Sequence, residues 1–227
     1  MPNATDITQK TTPFAVNDCA MITIASGVKA QNLREFRSAL QQVSLGSIYH
    51  HCWGRLLRPL FDEPEYNNDF ASWAHRALHD KPLAEQLSMV IPTDFDNLED
   101  LRQEMVEVVE QRLDESEYVP WATADQQFHF LQSKIIVFDT GSRFQHPSEI
   151  VSELPHLSTG SIFYHFIDAR SRTPERHDDF TAWLSGYGED FKELCRTLCA
   201  IDPYFSSLKE IRLIVSNVFN NFFDREN

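Results

Sequence analysis

Ser44-Leu45-Gly46-Ser47-Ile48-Tyr49-His50-His51 and Ser158-Thr159-Gly160-Ser161-Ile162-Phe163-Tyr164-His165 decide how this chain is read. The second stretch repeats the first 114 residues later. Working outward, Phe14–His51 lies over Phe128–His165 without a gap. Twelve of the 38 positions are identical, where ordinary composition gives roughly two or three. The identities include Phe14/Phe128, Gly27/Gly141, Gln31/Gln145, Glu35/Glu149 and His51/His165. After a shortening of four residues, Asp69-Phe70-Ala71-Ser72-Trp73 matches Asp179-Phe180-Thr181-Ala182-Trp183. Leu98, Arg102 and Asp114 then face Leu208, Arg212 and Asp224. The pattern implies a tandem duplication with a tail at 1–13, a first half at 14–114, a connector at 115–127 and a second half at 128–227. Two such halves are expected to pack as one compact molecule about a pseudo-twofold axis.

Local chemistry assigns the same elements to both halves. Phe14–Ala25 and Phe128–Asp139 each hold two β-prone runs around a polar dipeptide (Asn17-Asp18, Gln132-Ser133), which predicts a hairpin ending at Gly27 or Gly141. Because an isolated hairpin is marginal in water, the two are expected to meet in one small sheet. Asn32 with Glu35, and Pro147 with Glu149, open a helix. A second helix runs through Ile48–Trp53 and Ile162–Ile167, and a third begins at Asp69 and Asp179. The last is the longest, entered through Asn97/Asp100 and Ser207/Glu210. The fold class is therefore mainly α with a small β component, a duplicated unit of one β-hairpin plus helices.

Composition removes several functions. Twenty Lys+Arg against 34 Asp+Glu give a net charge of −14, which excludes a phosphate-gripping basic stripe and hence nucleic acid as a partner. Seven glycines disfavour phosphate-cradling loops, and no window approaches a membrane span. No basic-then-apolar leader opens the chain. Four cysteines (Cys19, Cys52, Cys195, Cys199) are too few for a disulfide scaffold and read as reduced thiols, so a cytoplasmic protein is expected. No nucleophile elbow, Walker loop or dinucleotide fingerprint occurs.

The candidate site residues surround the repeated histidines. His51 and His165 have the chemistry of a ligand contact or an acid/base, or of a core residue meeting the same hydrogen-bonding need twice. Tyr49, Tyr164 and Asp168 stand beside them, and Arg55, Arg58, Arg170 and Arg172 follow closely, with the chemistry to clamp a phosphate or carboxylate or to serve as solvated charges on a loop. Asp69 and Asp179 read as helix N-caps, and Phe70/Trp73 and Phe180/Trp183 as core. His75 and His79 share a helical face without the other ligands a metal requires. Neither a metal nor a cofactor is expected.

The stretches Phe128-His129-Phe130, Ser161-Ile162-Phe163-Tyr164-His165-Phe166 and Asp179-Phe180-Thr181-Ala182-Trp183 resemble a prokaryotic family of uncharacterised proteins with tandem Phe-x-Phe, Ser-Ile-x-Tyr-His-Phe and Asp-Phe-x-x-Trp units. In the first half Val16 replaces the second aromatic, and His50 and Cys52 flank His51. The resemblance runs from Phe14 across nearly the whole chain, including Glu117-Tyr118-Val119-Pro120-Trp121. It implies no established activity. It does imply proximity to carbohydrate-active enzymes, and so an accessory role in glycoside or trehalose-type metabolism.

The expected function is a non-catalytic intracellular binding or regulatory protein, with a small-molecule ligand or a protein as partner and self-association open. One alternative is an enzyme on a small sugar or phosphorylated metabolite using His51 or His165 as acid/base. The other is a protein–protein scaffold, in which both histidines are buried.

Overall fold

Two long strands replace the two expected hairpins. The computed structural model describes residues 12–57, 65–115, 122–173 and 175–225. In it β1 runs unbroken over Phe14–Asn32 and β2 over Thr123–Phe144, and they form one two-stranded sheet. Ser26 Oγ reaches the Phe130 carbonyl and Thr140 Oγ1 the Val16 carbonyl, so pairing runs down β2 as it runs up β1: the strands are antiparallel. Gly27 (φ 78°) and Gly141 (φ 81°) both take the left-handed backbone, but inside strands and not at hairpin ends. The polar pair Asn17-Asp18 makes no turn. The Asn17 amide is committed to a distant imidazole (below), and Asp18 Oδ1 accepts from the Cys19 amide.

The chain divides into two compact units. One is Ala20–Ile136; the other joins the described part of Met1–Cys19 to Val137–Asn227. Each strand therefore crosses from one unit to the other, β1 after Cys19 and β2 after Ile136. In terms of the sequence halves, the first part of each strand serves the helices of the other half.

In the Ala20–Ile136 unit the helices are α1 (Leu33–Gln42), α2 (Leu45–Trp53), α3 (Asp69–Arg76), α4 (Lys81–Ser88) and α5 (Leu98–Asp114). Asn32 Oδ1 caps α1 through the Glu35 amide, while Glu35 returns to the Gln31 amide. Asn97 caps α5 at the Glu99 and Asp100 amides. Phe36 sits at the centre of the core, stacked on Trp73 at 4.8 Å and edge-on to Phe128 of β2 at 5.3 Å.

In the other unit the helices are α6 (Ile150–Glu153), α7 (Thr159–Ile162), α8 (Ala169–Arg172), α9 (Asp179–Ser185), α10 (Lys192–Cys199) and α11 (Leu208–Arg225). A π-helical segment, Phe163–Asp168, joins α7 to α8, and 3-10 turns at Pro147–Glu149 and Leu154–His156 flank α6. Pro155 lies in the second turn, where α1 continues unbroken in the first half, because its ring forbids an interior helical position. Ser207 and Glu210 cap α11 reciprocally. Phe14 of β1 stacks on Phe180 at 5.2 Å in the core.

Geometric contacts recur at the offset read from the sequence. Arg102 donates to the Val43 carbonyl and Arg212 to the Leu157 carbonyl, each at 2.7 Å. Trp73 Nε1 donates to Gln126 O at 2.8 Å and Trp183 Nε1 to Thr12 O at 3.0 Å, so both indoles anchor strand backbone. Gly46 and Gly160 occupy matching helical positions but meet different surroundings. A β-carbon at Gly160 would lie 2.5 Å from the Cys19 carbonyl oxygen and closer still to Asp18, whereas at Gly46 the nearest atoms are 3.7 Å away. Gly160→Ala is therefore expected to destabilise the protein by about 2 kcal/mol or more, and Gly46→Ala to be neutral or slightly stabilising, measured by urea unfolding.

Candidate functional site

Each repeated histidine is held at both ring nitrogens. His165 is 1% exposed and His51 2%. The backbone amide of Asn17 donates to His165 Nε2 at 2.9 Å, and that of Leu131 to His51 Nε2 at 3.0 Å. A nitrogen that accepts an N–H carries no proton, so each neutral imidazole keeps its proton on Nδ1. From Nδ1 His165 donates to Asp179 Oδ2 at 2.7 Å, and His51 to Asp69 Oδ2 at 2.9 Å. Asn17 and Leu131 are themselves 114 residues apart, as the histidines are.

The aspartates are not the helix caps that the sequence pattern suggests. The caps are one residue earlier: Asn68 Oδ1 accepts from the Ala71 amide and Asp178 Oδ1 from the Thr181 amide. Asp69 and Asp179 thus occupy the first helical position, where the carboxylate gains from the helix dipole and its side chain is free to reach the imidazole.

Around Asp179 the charge is balanced by Arg172, which donates from Nη2 at 3.1 Å and from Nε to Asp168 at 2.8 Å. The same guanidinium reaches the Tyr164 carbonyl and lies 4.0 Å over the Tyr164 ring. This is the π-helical segment. Arg170 points elsewhere, donating to the Ile201 carbonyl at 3.1 Å and lying over the Phe166 ring at 4.8 Å. Arg55 holds the Tyr66 carbonyl. Tyr49 is half-buried on α2, one residue before His50. The structure therefore gathers His165, Asp168, Tyr164 and Arg172, but sends Arg170 to the Ile201 carbonyl and Arg55 to the Tyr66 carbonyl. Arg58, the tail before Thr12 and residues 116–121 of the connector, Pro120 and Trp121 included, lie outside the described residues.

Ligand atoms of His50, His51 and Asp69 lie within 4.8 Å of one another, a separation a metal ion could bridge. The donor set does not fit one. Both nitrogens of His51 are spent as above, and His50 Nδ1 is 2.5 Å from Ser133 Oγ, so a cation would have to break the strand anchor or the Asp69 bond. His75 and His79 diverge, to Glu65 and Asp125. The cysteines are unpaired; burial pushes the Cys19 thiol up to about 12 and the Cys195 thiol to about 11, and raises Cys52 further, while Cys199 is exposed. Thiols so protonated are poor nucleophiles and ligands. Two small cavities, about 190 Å³ beside His79 and Arg112 and about 130 Å³ beside Leu194 and Phe222, are lined by neither repeated histidine.

The profile of a family of unknown function, DUF5752, matches residues 11–220. The chain belongs to that family. This DUF5752 protein is also similar in structure to OrfY from Thermoproteus tenax, with a TM-score of 0.81 and 25% identity over 95% of this chain and 98% of that one. No curated protein matches the sequence. No described helix is long and apolar enough to cross a membrane.

One difference between the halves went unseen in the sequence. The buried cap of α9 is a carboxylate, Asp178, whereas α3 uses the neutral Asn68. Arg170, whose counterpart 114 residues earlier is Leu56, supplies the nearby positive charge. Burial pushes the Asp178 carboxyl up, while the Thr181 hydrogen bonds and Arg170 oppose the rise, and burial pushes the Arg170 guanidinium down. Arg170→Leu is expected to cost about 3 kcal/mol at pH 7, and Arg170→Leu with Asp178→Asn to recover most of it by copying the first half. A raised carboxyl contributes stability that is present below the ordinary carboxylate range and lost as pH rises. The single-variant deficit should therefore shrink as urea titrations move from pH 7 towards acid.

Proposed function

We propose that this DUF5752 protein is a non-catalytic binding and regulatory module, assembled from two copies of one helical unit, whose histidines hold strand to helix. The observation that carries the reading is the saturation of His51 and His165: one nitrogen accepts a strand amide, the other donates to an aspartate, and the rings are sealed from solvent. An acid/base group needs a nitrogen within reach of a substrate proton, and neither ring offers one without dismantling its anchor. The duplication is supported by hydrogen bonds recurring at the offset of 114, and a cytoplasmic location by four unpaired cysteines. A tie to sugar metabolism rests on the family resemblance, and no side chain of either histidine cluster adds to it.

Under this reading His51→Gln and His165→Gln each lower stability by about 2–4 kcal/mol, because a strand amide loses its acceptor and a half-buried carboxylate loses its imidazole donor together. Differential scanning fluorimetry against sugars, sugar phosphates and nucleotides is the accompanying test. Any ligand-induced rise in Tm is expected to persist in both variants. A variant that keeps the unliganded Tm but loses such a rise would make that histidine a ligand contact and overturn the reading.

A further inference from the structure

The two longest helices, α5 and α11, are matched residue for residue at an offset of 110, and their burial patterns agree almost position for position. Their outward faces do not agree. Along α5 the solvent stripe is Asp100, Gln103, Glu104, Glu107 and Gln111; along α11 it is Glu210, Leu213, Ile214, Asn217 and Asn221. Two acidic positions have become neutral, and Leu213 is 61% and Ile214 37% exposed. No large apolar side chain of α5 is exposed. Phe205, 59% exposed, stands in the segment leading into α11. Two helices with the same packing duty on their inner faces need the same inner residues, so the divergence is confined to what faces outward. Uncovered Leu and Ile in the middle of a helix lower solubility without strengthening the core, and such patches mark contact surfaces.

We infer that this α11 face is a self-association surface whose occupant is the α11 face of a second copy of the chain. The assignment rests on the reading of the protein as a binding module. Charge selects the occupant. A second copy also carries −14, so most of its surface repels this one. The α11 stripe between Leu213 and Asn221 has no charged residue, and a twofold contact sets that stripe against itself. In an antiparallel pair crossing near Asn217 the helix dipoles oppose favourably, and charge is confined to the two ends of the contact, where exposed Lys209 and Glu210 of one helix meet exposed Asp224 of the other and largely offset. The equivalent pairing through α5 would bring Glu104 and Glu107 of both copies together, which explains why α11 and not α5 carries the surface. A face one helix wide is smaller than the roughly 800 Å² per partner of a standard interface, so the dimer is weak and concentration-dependent.

Sedimentation equilibrium on the full-length chain tests this. At roughly 100 µM the wild type is expected to approach twice its 26.3 kDa monomer mass and to dissociate on dilution. Leu213→Gln with Ile214→Glu, which installs the residues α5 carries at these places, is expected to stay monomeric throughout, with the circular dichroism spectrum of the wild type. Asn217→Arg, which sets like charges across the twofold, is expected to weaken association at least tenfold and covers the case in which the double variant misfolds. A wild type that remains monomeric at roughly 100 µM, or a folded variant that dimerises like the wild type, overturns the assignment. Either result leaves the histidine reading intact, since that is decided by Tm and ligand response.

Discussion

A buried imidazole accepting the amide of a β-strand is the constraint on which both units depend. Two strands of 19 and 22 residues make a sheet that is all edge, and such a ribbon has little stability of its own in water. It is held because helices reach up to it. In one unit His51 takes the Leu131 amide and Trp73 gives its indole proton to the Gln126 carbonyl; in the other His165 takes the Asn17 amide and Trp183 binds the Thr12 carbonyl. Each histidine can accept only because an aspartate at the first position of a helix receives the proton on its far side. Strand, second helix and third helix are thereby fixed by one side chain, whose ring is buried among aromatic neighbours.

The two clusters meet the same need with different charge. Around His165 an arginine completes the aspartate, the cap is a carboxylate, and a second arginine balances that cap. The first half has a neutral Asn68 cap and Leu56 in the corresponding place. A buried charge pair is seldom more stable than the apolar pair it replaces, and each of its members depends on the other. Divergence between equivalent positions, at these caps and on the outer faces of α5 and α11, says more about role than identity does, because identity is expected wherever equivalent cores must be filled.

Much of this was legible in the residues. The register of 114 follows from local identities, and the caps at Asn32, Asn97 and Ser207 follow from side chains three residues apart, because the physics that fixes them is equally local. The repeated histidines stood out for the same reason. What failed depends on contacts far along the chain. Asn17-Asp18 has the composition of a turn, yet the Asn17 amide is bound by an imidazole 148 residues away, and an extended strand is the consequence. Asp69 and Asp179 were displaced from their expected caps by a single residue, a shift that decides whether a carboxylate faces the backbone or the histidine. The arginines clustered in sequence point apart in space, since helical rotation separates Arg170 from Arg172.

The tautomeric state of the two histidines is the most direct measure of this account. In a ¹⁵N-labelled sample, long-range ¹H–¹⁵N correlation spectra should show His51 and His165 with the proton on Nδ1 and a bare Nε2, and the Leu131 and Asn17 amides coupled to those rings. Rings protonated at Nε2, or free to exchange between tautomers, would mean that the imidazoles do not hold the strands.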